Sequence, residues 1–141
     1  MKLNDALFEL MFAVRSTTLS KTKSLHPELS PMHFKALTLI TKIPECTGQK
    51  IAAKMGRDKA QINRLLKELV GKGLLYKTEN ANDKRSQLLE LTGEGKKIMV
   101  SFKKVESEIH QLLIKDITSE ELESFLRISE KLKASLEANN G

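Results

Sequence analysis

The sequence predicts a mainly α-helical chain that carries one small β-hairpin. Three observations predict it. Apolar residues recur three and four positions apart over most of the chain, which is helical periodicity. Capping residues, prolines and glycines punctuate those stretches where helices should start and stop. Residues 74–91 break the pattern: two short apolar runs flank a polar, turn-forming segment. With 141 residues there is one domain's worth of chain. Aromatics make up only 4% and Trp is absent, so the core must be built from Leu, Ile, Val and Met.

The first helix is expected over residues 3–24. Leu3, Leu7, Leu10, Met11 and Val14 form its apolar stripe, and Phe8 and Phe12 widen it. A stripe this wide needs a partner to cover it. Ser30-Pro31 starts the next helix, with a capping hydroxyl followed by proline at the first helical position. Met32, Phe34, Leu37 and Ile40 carry it to about Lys42, and Pro44 bars continuation.

A short helix then begins at Thr47, buries Ile51, Ala52 and Met55, and stops at Gly56, which can take positive φ. The following helix opens at Asp58 and runs to the Gly71-Lys72-Gly73 stop. Asp58 and Gln61 stand at capping-box spacing. Ile62, Leu65, Leu66 and Leu69 make its apolar stripe. Ala52, Gly56 and Ile62 have the spacing of a helix-turn-helix: a small residue for close approach, a glycine for the turn, a branched residue to lock the second helix. Leu74–Thr78 and Ser86–Leu91 read as paired strands around the tip 79–85, so the unit is a winged helix.

Thr92 caps a long helix whose stripe is Ile98, Phe102, Val105, Ile109 and Leu112. Steps of four, three, four and three are those of a coiled-coil seam. Near Lys115-Asp116 it ends; Thr118 or Ser119 begins the last helix, with Leu122, Phe125, Ile128, Leu132 and Leu136 apolar. No internal repeat or low-complexity tract interrupts this order.

Net charge is +6, and its distribution is informative. Residues 1–56 carry eight basic and four acidic side chains, residues 57–105 twelve and six, and residues 106–141 four and eight. The positive charge centres on the helix-turn-helix and hairpin, the footprint expected of nucleic-acid binding. The outer face of the 59–70 helix holds Lys59, Ala60, Gln61, Asn63, Arg64 and Lys67, with Glu68 only at its flank. A solvated face usually mixes signs; an unbalanced one suits a polyanion.

Asp83-Lys84-Arg85, five residues, then Leu91-Thr92, resembles the wing signature of the MarR (multiple-antibiotic-resistance regulator) family, as does Gln61-Ile62-Asn63-Arg64-Leu65 through Gly73-Leu74-Leu75. Length and helix order agree over nearly the whole chain. The resemblance implies a dimeric transcription regulator, most often a repressor. Residues 30–92 would be its DNA-binding unit, and residues 1–29 and 93–141 its dimerisation helices. It also implies a signal, such as a small molecule, that binds between those helices and the winged unit and weakens DNA binding. The length of the apolar stripes in so small a protein independently favours a homodimer over an intramolecular bundle.

A major groove about 12 Å wide admits one helix. In it Gln61 and Asn63 suit adenine, Lys59 and Arg64 suit guanine, and Ala60 suits a thymine methyl; Lys67 lies on the same face. Which of these reach bases and which reach phosphate stays open. Arg85 is the best probe of a narrow minor groove. Lys77, Lys84, Ser86 and the helix start at Ser30 are candidate phosphate contacts. By resemblance Asp83 braces the wing.

Other chemistries fit less well. No phosphate loop, nucleophile elbow or paired catalytic carboxylates are present, so no enzyme and no cofactor are expected. Cys46 has no flanking Lys, Arg or His to activate it, and is expected to be an ordinary small buried residue. His26, His33 and His110, the last with Glu106 on its helix face, lack ligand spacing, so no metal is expected. RNA-binding modules use aromatic platforms, and Tyr76 is the only tyrosine. A winged-helix module that binds protein instead of DNA is the alternative; an acidic or apolar reading helix would favour it. No run of about 18 apolar residues predicts a membrane span. Asp5, Glu9 and Arg15 interrupt any signal-peptide core. A single cysteine excludes an internal disulfide and points to the cytoplasm.

Overall fold

The structure, a computed structural model, describes residues 2–140. The elements run α1 (Leu3–Leu25), α2 (Pro31–Lys42), α3 (Gly48–Met55), α4 (Lys59–Gly71), β1 (Leu75–Glu79), β2 (Gln87–Leu91), α5 (Gly93–Ile114) and α6 (Ser119–Asn140). This is the mainly α fold with a β-hairpin wing that the sequence predicts. Among the described residues no helix is long and apolar enough to cross a membrane. The chain divides into two compact units, one reaching to Glu106 and the other running from Ser107.

In the first unit the core lies between α2, α3, α4 and the inner face of the hairpin. Phe34, Leu37, Ile51, Ile62, Leu66, Leu69 and Leu75 are its largest closed side chains. Each such side chain contributes roughly 1.5–3 kcal/mol when taken out of water. Ala52, Gly56 and Ile62 act as their spacing implies. Ala52 and Ile62 are buried, and Gly56 sits at φ 61°, ψ 36°, ending α3 in the left-handed region.

The hairpin is antiparallel, with Leu75 opposite Leu91 and Lys77 opposite Leu89. The strands start one residue later than their apolar runs suggest. The sheet also has an unanticipated edge: Thr47 bridges Leu88, and the Leu89 amide donates to the Cys46 carbonyl at 2.9 Å. That bond fastens the wing to the start of α3.

Two expectations need correction. Asp58 caps α4 by accepting from the Ala60 amide at 3.3 Å, so it is a simple N-cap and not a box with Gln61. The box is at α2: Ser30 accepts from the His33 amide, and His33 Nδ1 accepts from the Ser30 amide. The α5 stripe is likewise not an open seam. Ile98 and Phe102 pack on the core, Phe102 stacks on Phe34 with ring centroids 4.7 Å apart, and Val105 and Ile109 are buried. Only Leu112 of that stripe stays exposed. At the start of α5 a Cβ on Gly95 would stand 2.3 Å from the Leu74 carbonyl oxygen. The missing side chain lets the helix lie against the wing base. Thr92 completes the joint, accepting from the Gly95 amide and donating to the Gly73 carbonyl at 2.6 Å.

The wide stripe of α1 behaves differently. Leu3, Leu7, Phe8, Leu10, Met11 and Phe12 are all exposed, and Thr22 is its one buried residue. In the second unit α6 has no buried residue, and Phe125, Leu126, Ile128 and Leu136 are exposed.

Candidate nucleic-acid interface

The apolar stripe of α4 is turned into the core, which fixes what the helix presents outward. Lys59, Ala60, Gln61, Asn63, Arg64 and Lys67 are all exposed. Among the described residues no salt bridge involves Lys59, Arg64 or Lys67. The structure therefore brings six of the expected residues onto one unneutralised surface.

The one carboxylate of α4 has another partner. Glu68 Oε2 lies 2.8 Å from Nε2 of the buried His33. Because Nδ1 accepts the Ser30 amide at 2.9 Å, the imidazole proton sits on Nε2 and is donated to the carboxylate. Glu68 also stands four residues after Arg64. An exposed pair at that spacing is worth about 0.3–0.5 kcal/mol, against roughly 1.5–3 kcal/mol for a hydrogen bond to a charged group. The histidine wins, and Arg64 is left unpaired.

Beside this face runs an open groove of about 310 Å³ lined by Met32, Arg57, Gln61, Ile62, Arg64, Leu65 and Glu68. Arg57 was not among the residues expected from sequence. It lies in the turn before α4, exposed, with its amide on the Ala52 carbonyl. An arginine between a turn glycine and a helix cap was the available signal.

The wing tip is built by two successive turns. Asn80 accepts from the Asn82 amide at 3.0 Å through its side chain, and Asp83 accepts from the Arg85 amide at 2.9 Å. Asn80 Nδ2 donates to Ser86 Oγ, closing the tip across its base. Asp83 is thus a brace on the backbone. Its contact with the Arg85 guanidinium, 3.8 Å, is long, and the Arg85 side chain is 96% exposed. A pair of that kind contributes little, so Arg85 can leave it for another anion. Lys84 is exposed beside it, and Lys77 is exposed on β1.

Ser30 is different from the other candidates. Its hydroxyl accepts from the His33 amide and its own amide donates to His33 Nδ1. The amide is taken up by the α2 cap, whereas the hydroxyl only accepts there and keeps its O–H as a donor.

His26 Nε2 lies 3.2 Å from Ser101 Oγ. Among the described residues no group of three or more His, Cys, Asp or Glu could hold a metal ion. Cys46 is buried; burial pushes its thiol pKa up, only partly offset by the charge of Lys50. Lys50 itself donates to the Pro44 and Glu45 carbonyls and holds the loop where Glu45 takes φ 48°. Tyr76 donates to Glu90 across the hairpin at 2.6 Å, which raises its pKa.

Comparison with known proteins gives a consistent answer. The MarR family model matches residues 29–87. A curated relative named as an uncharacterized HTH-type transcriptional regulator, YdgJ of Bacillus subtilis (strain 168), is 27% identical over 93 residues. That match spans 66% of this chain and only 57% of the relative. Staphylococcus aureus MepR, in a structure described as a MepR-DNA complex, is similar at a TM-score of 0.82 and 20% identity, covering 96% of this chain and 98% of that one. A cysteine-to-serine mutant of Escherichia coli MarR, complexed with operator DNA, is similar at 0.71 and 26% identity, covering 94% and 99%. The family match takes in the helix-turn-helix and the first wing strand, and the chain has the winged helix-turn-helix fold of the solved MepR and MarR structures.

Proposed function

We propose that this protein is a sequence-specific DNA-binding transcription regulator, acting as a homodimer and most simply as a repressor. The observation that carries the reading is the exposed face of α4, cationic and amide-bearing with its one carboxylate tied back to His33. The 13 residues of α4 make a rod about 20 Å long, which fits a major groove. Gln61, Asn63, Arg64 and Lys59 would face base edges, with Ala60 against a thymine methyl and Lys67 at the groove wall. Arg85 would enter the adjacent minor groove, where a guanidinium suits the negative potential. Lys77, Lys84 and Ser86 would hold phosphates, and Asp83 would keep the tip in shape. DNA bound by two solved relatives of the same fold supports this placement.

The apolar faces left open on α1 and α6 support a second copy as their cover. In this reading residues 30–92 bind DNA while residues 1–29 and 93–141 serve dimerisation. Two reading heads require a pseudo-palindrome with half-sites about 34–36 Å apart. A small-molecule signal that altered that separation would abolish simultaneous engagement. The chemistry is binding and not catalysis, and its place is the cytoplasm, with the chromosome.

Fluorescence anisotropy over a salt series tests this, using the protein's own upstream DNA and a scrambled duplex. Tight binding to the first alone, with log affinity falling by about 0.9 per released phosphate contact as log salt rises, is expected. No binding to either at low salt would overturn the reading in favour of a protein-binding module.

A further inference from the structure

We propose that His33 is a positioning residue for the reading helix: by holding the carboxylate of Glu68 it keeps Arg64 free to meet a base. The inference rests on the DNA-reading function proposed above. Glu68 is the only acidic side chain between Lys59 and Gly71. It follows Arg64 by four residues, a spacing at which side chains meet on a helix, and both line the same groove. Yet the carboxylate bonds His33 Nε2 at 2.8 Å.

His33 is well suited to that task. Its side chain is buried, and Nδ1 is fixed on the Ser30 amide at the start of α2. The imidazole cannot follow Glu68 outward without breaking the α2 cap. One side chain therefore joins the first turn of α2 to the third turn of α4, across 35 positions of sequence. Released, Glu68 would do two things to the reading face. It would pair with Arg64, and it would set a negative charge among groups meant for phosphate.

The test compares four proteins: wild type, His33→Ala, His33→Gln, and the double variant His33→Ala with Glu68→Ala. Affinity for the upstream duplex is read by anisotropy, and stability by thermal unfolding. His33→Ala should bind about twofold more weakly, the cost of breaking an exposed Arg–Glu pair at this spacing before Arg64 can meet a base. The double variant should recover wild-type affinity while remaining as destabilised as the single, because both lack the cap. His33→Gln should behave as wild type, since glutamine at this position can reach the Ser30 amide and still donate to Glu68. Equal affinity of wild type and His33→Ala, or a double variant as weak as the single, would overturn the proposal. NMR of the Arg64 guanidinium in free protein gives a readout without DNA. His33→Ala should shift its Nε–H resonance and slow its solvent exchange, and adding Glu68→Ala should reverse both. Wild type failing to bind any duplex would sink the DNA reading, and the NMR arm would still decide whether His33 keeps Glu68 off Arg64.

Discussion

Helices α4 and α1 both carry apolar stripes at helical spacing, and the single chain treats them in opposite ways. Ile62, Leu66 and Leu69 of α4 are closed within the core, so its polar face points outward. Leu3, Leu7, Phe8 and Phe12 of α1 remain open, Phe12 at 72% exposure. An apolar stripe therefore has two meanings in this molecule. On α4 it orients a binding face for another kind of molecule. On α1 it lies open, and an exposed patch containing two phenylalanines is the mark of an interaction surface, in the reading proposed above the dimer's. The contrast predicts that substitutions in the two stripes will fail in different assays.

The largest effect should come from the closed stripe. Leu66→Ala removes a side chain that is 2% exposed, and a buried Leu→Ala change costs about 2–5 kcal/mol. Chemical unfolding should register that loss at every protein concentration. On the open stripe, Phe8→Glu together with Phe12→Glu should leave the winged unit folded and turn a sedimenting dimer into a monomer. Its unfolding midpoint should be independent of protein concentration, whereas that of a dimeric wild type should rise with it. A double variant that still sediments as a dimer would remove α1 from the interface and break the comparison.

On the outer face of α4 the effect is on binding alone. Arg64→Ala should weaken specific binding by about 1–3 kcal/mol if the guanidinium reaches a base, with the unfolding free energy unchanged. Arg85→Ala should do the same from the wing. Titration of both variants against the upstream and scrambled duplexes distinguishes a base contact from a phosphate contact. Only the former narrows the ratio between the two sequences. Unchanged affinity in both variants would rule out the docking described here.

Most of the fold was legible because it is written in local chemistry. Pro31, Gly56, Gly73 and Thr92 mark boundaries through their own backbone or hydroxyl groups, and the structure uses each one there. The exposed α4 face followed from where the apolar stripe had to go. What stayed hidden depends on approach between distant segments. Nothing near Gly95 reports that the Leu74 carbonyl will touch it. Thr47 and Leu88 pair across a single bridge with no strand pattern around Thr47. The His33–Glu68 bond joins residues that carry no motif together. The α5 stripe was ambiguous in principle, since steps of four and three serve an intramolecular core as well as a seam; in the structure Ile98 and Phe102, at its start, pack on the winged core. Asp58 and Gln61 had the spacing of a box, yet a two-residue reach to the Ala60 amide satisfied the carboxylate first.

The smallest effect concerns Cys46, which belongs with the closed region of the comparison. Its side chain is buried in the winged core, and burial raises the thiol pKa above its ordinary value. A raised pKa lowers the thiolate fraction at any given pH, and the thiolate is the species that peroxide and alkylating reagents attack. Lys50 works in the opposite direction but is the lesser influence. Cys46→Ser should therefore leave both operator affinity and its response to peroxide unchanged, while wild-type thiol should react with iodoacetamide only as fast as the winged unit opens. Reactivity should climb only when the pH passes above the usual thiol range. Release of DNA from wild type by peroxide, absent in Cys46→Ser, would show that the core opens at this point far more readily than its packing implies. Cys46 would then join α1 as a surface the free chain holds ready for something else.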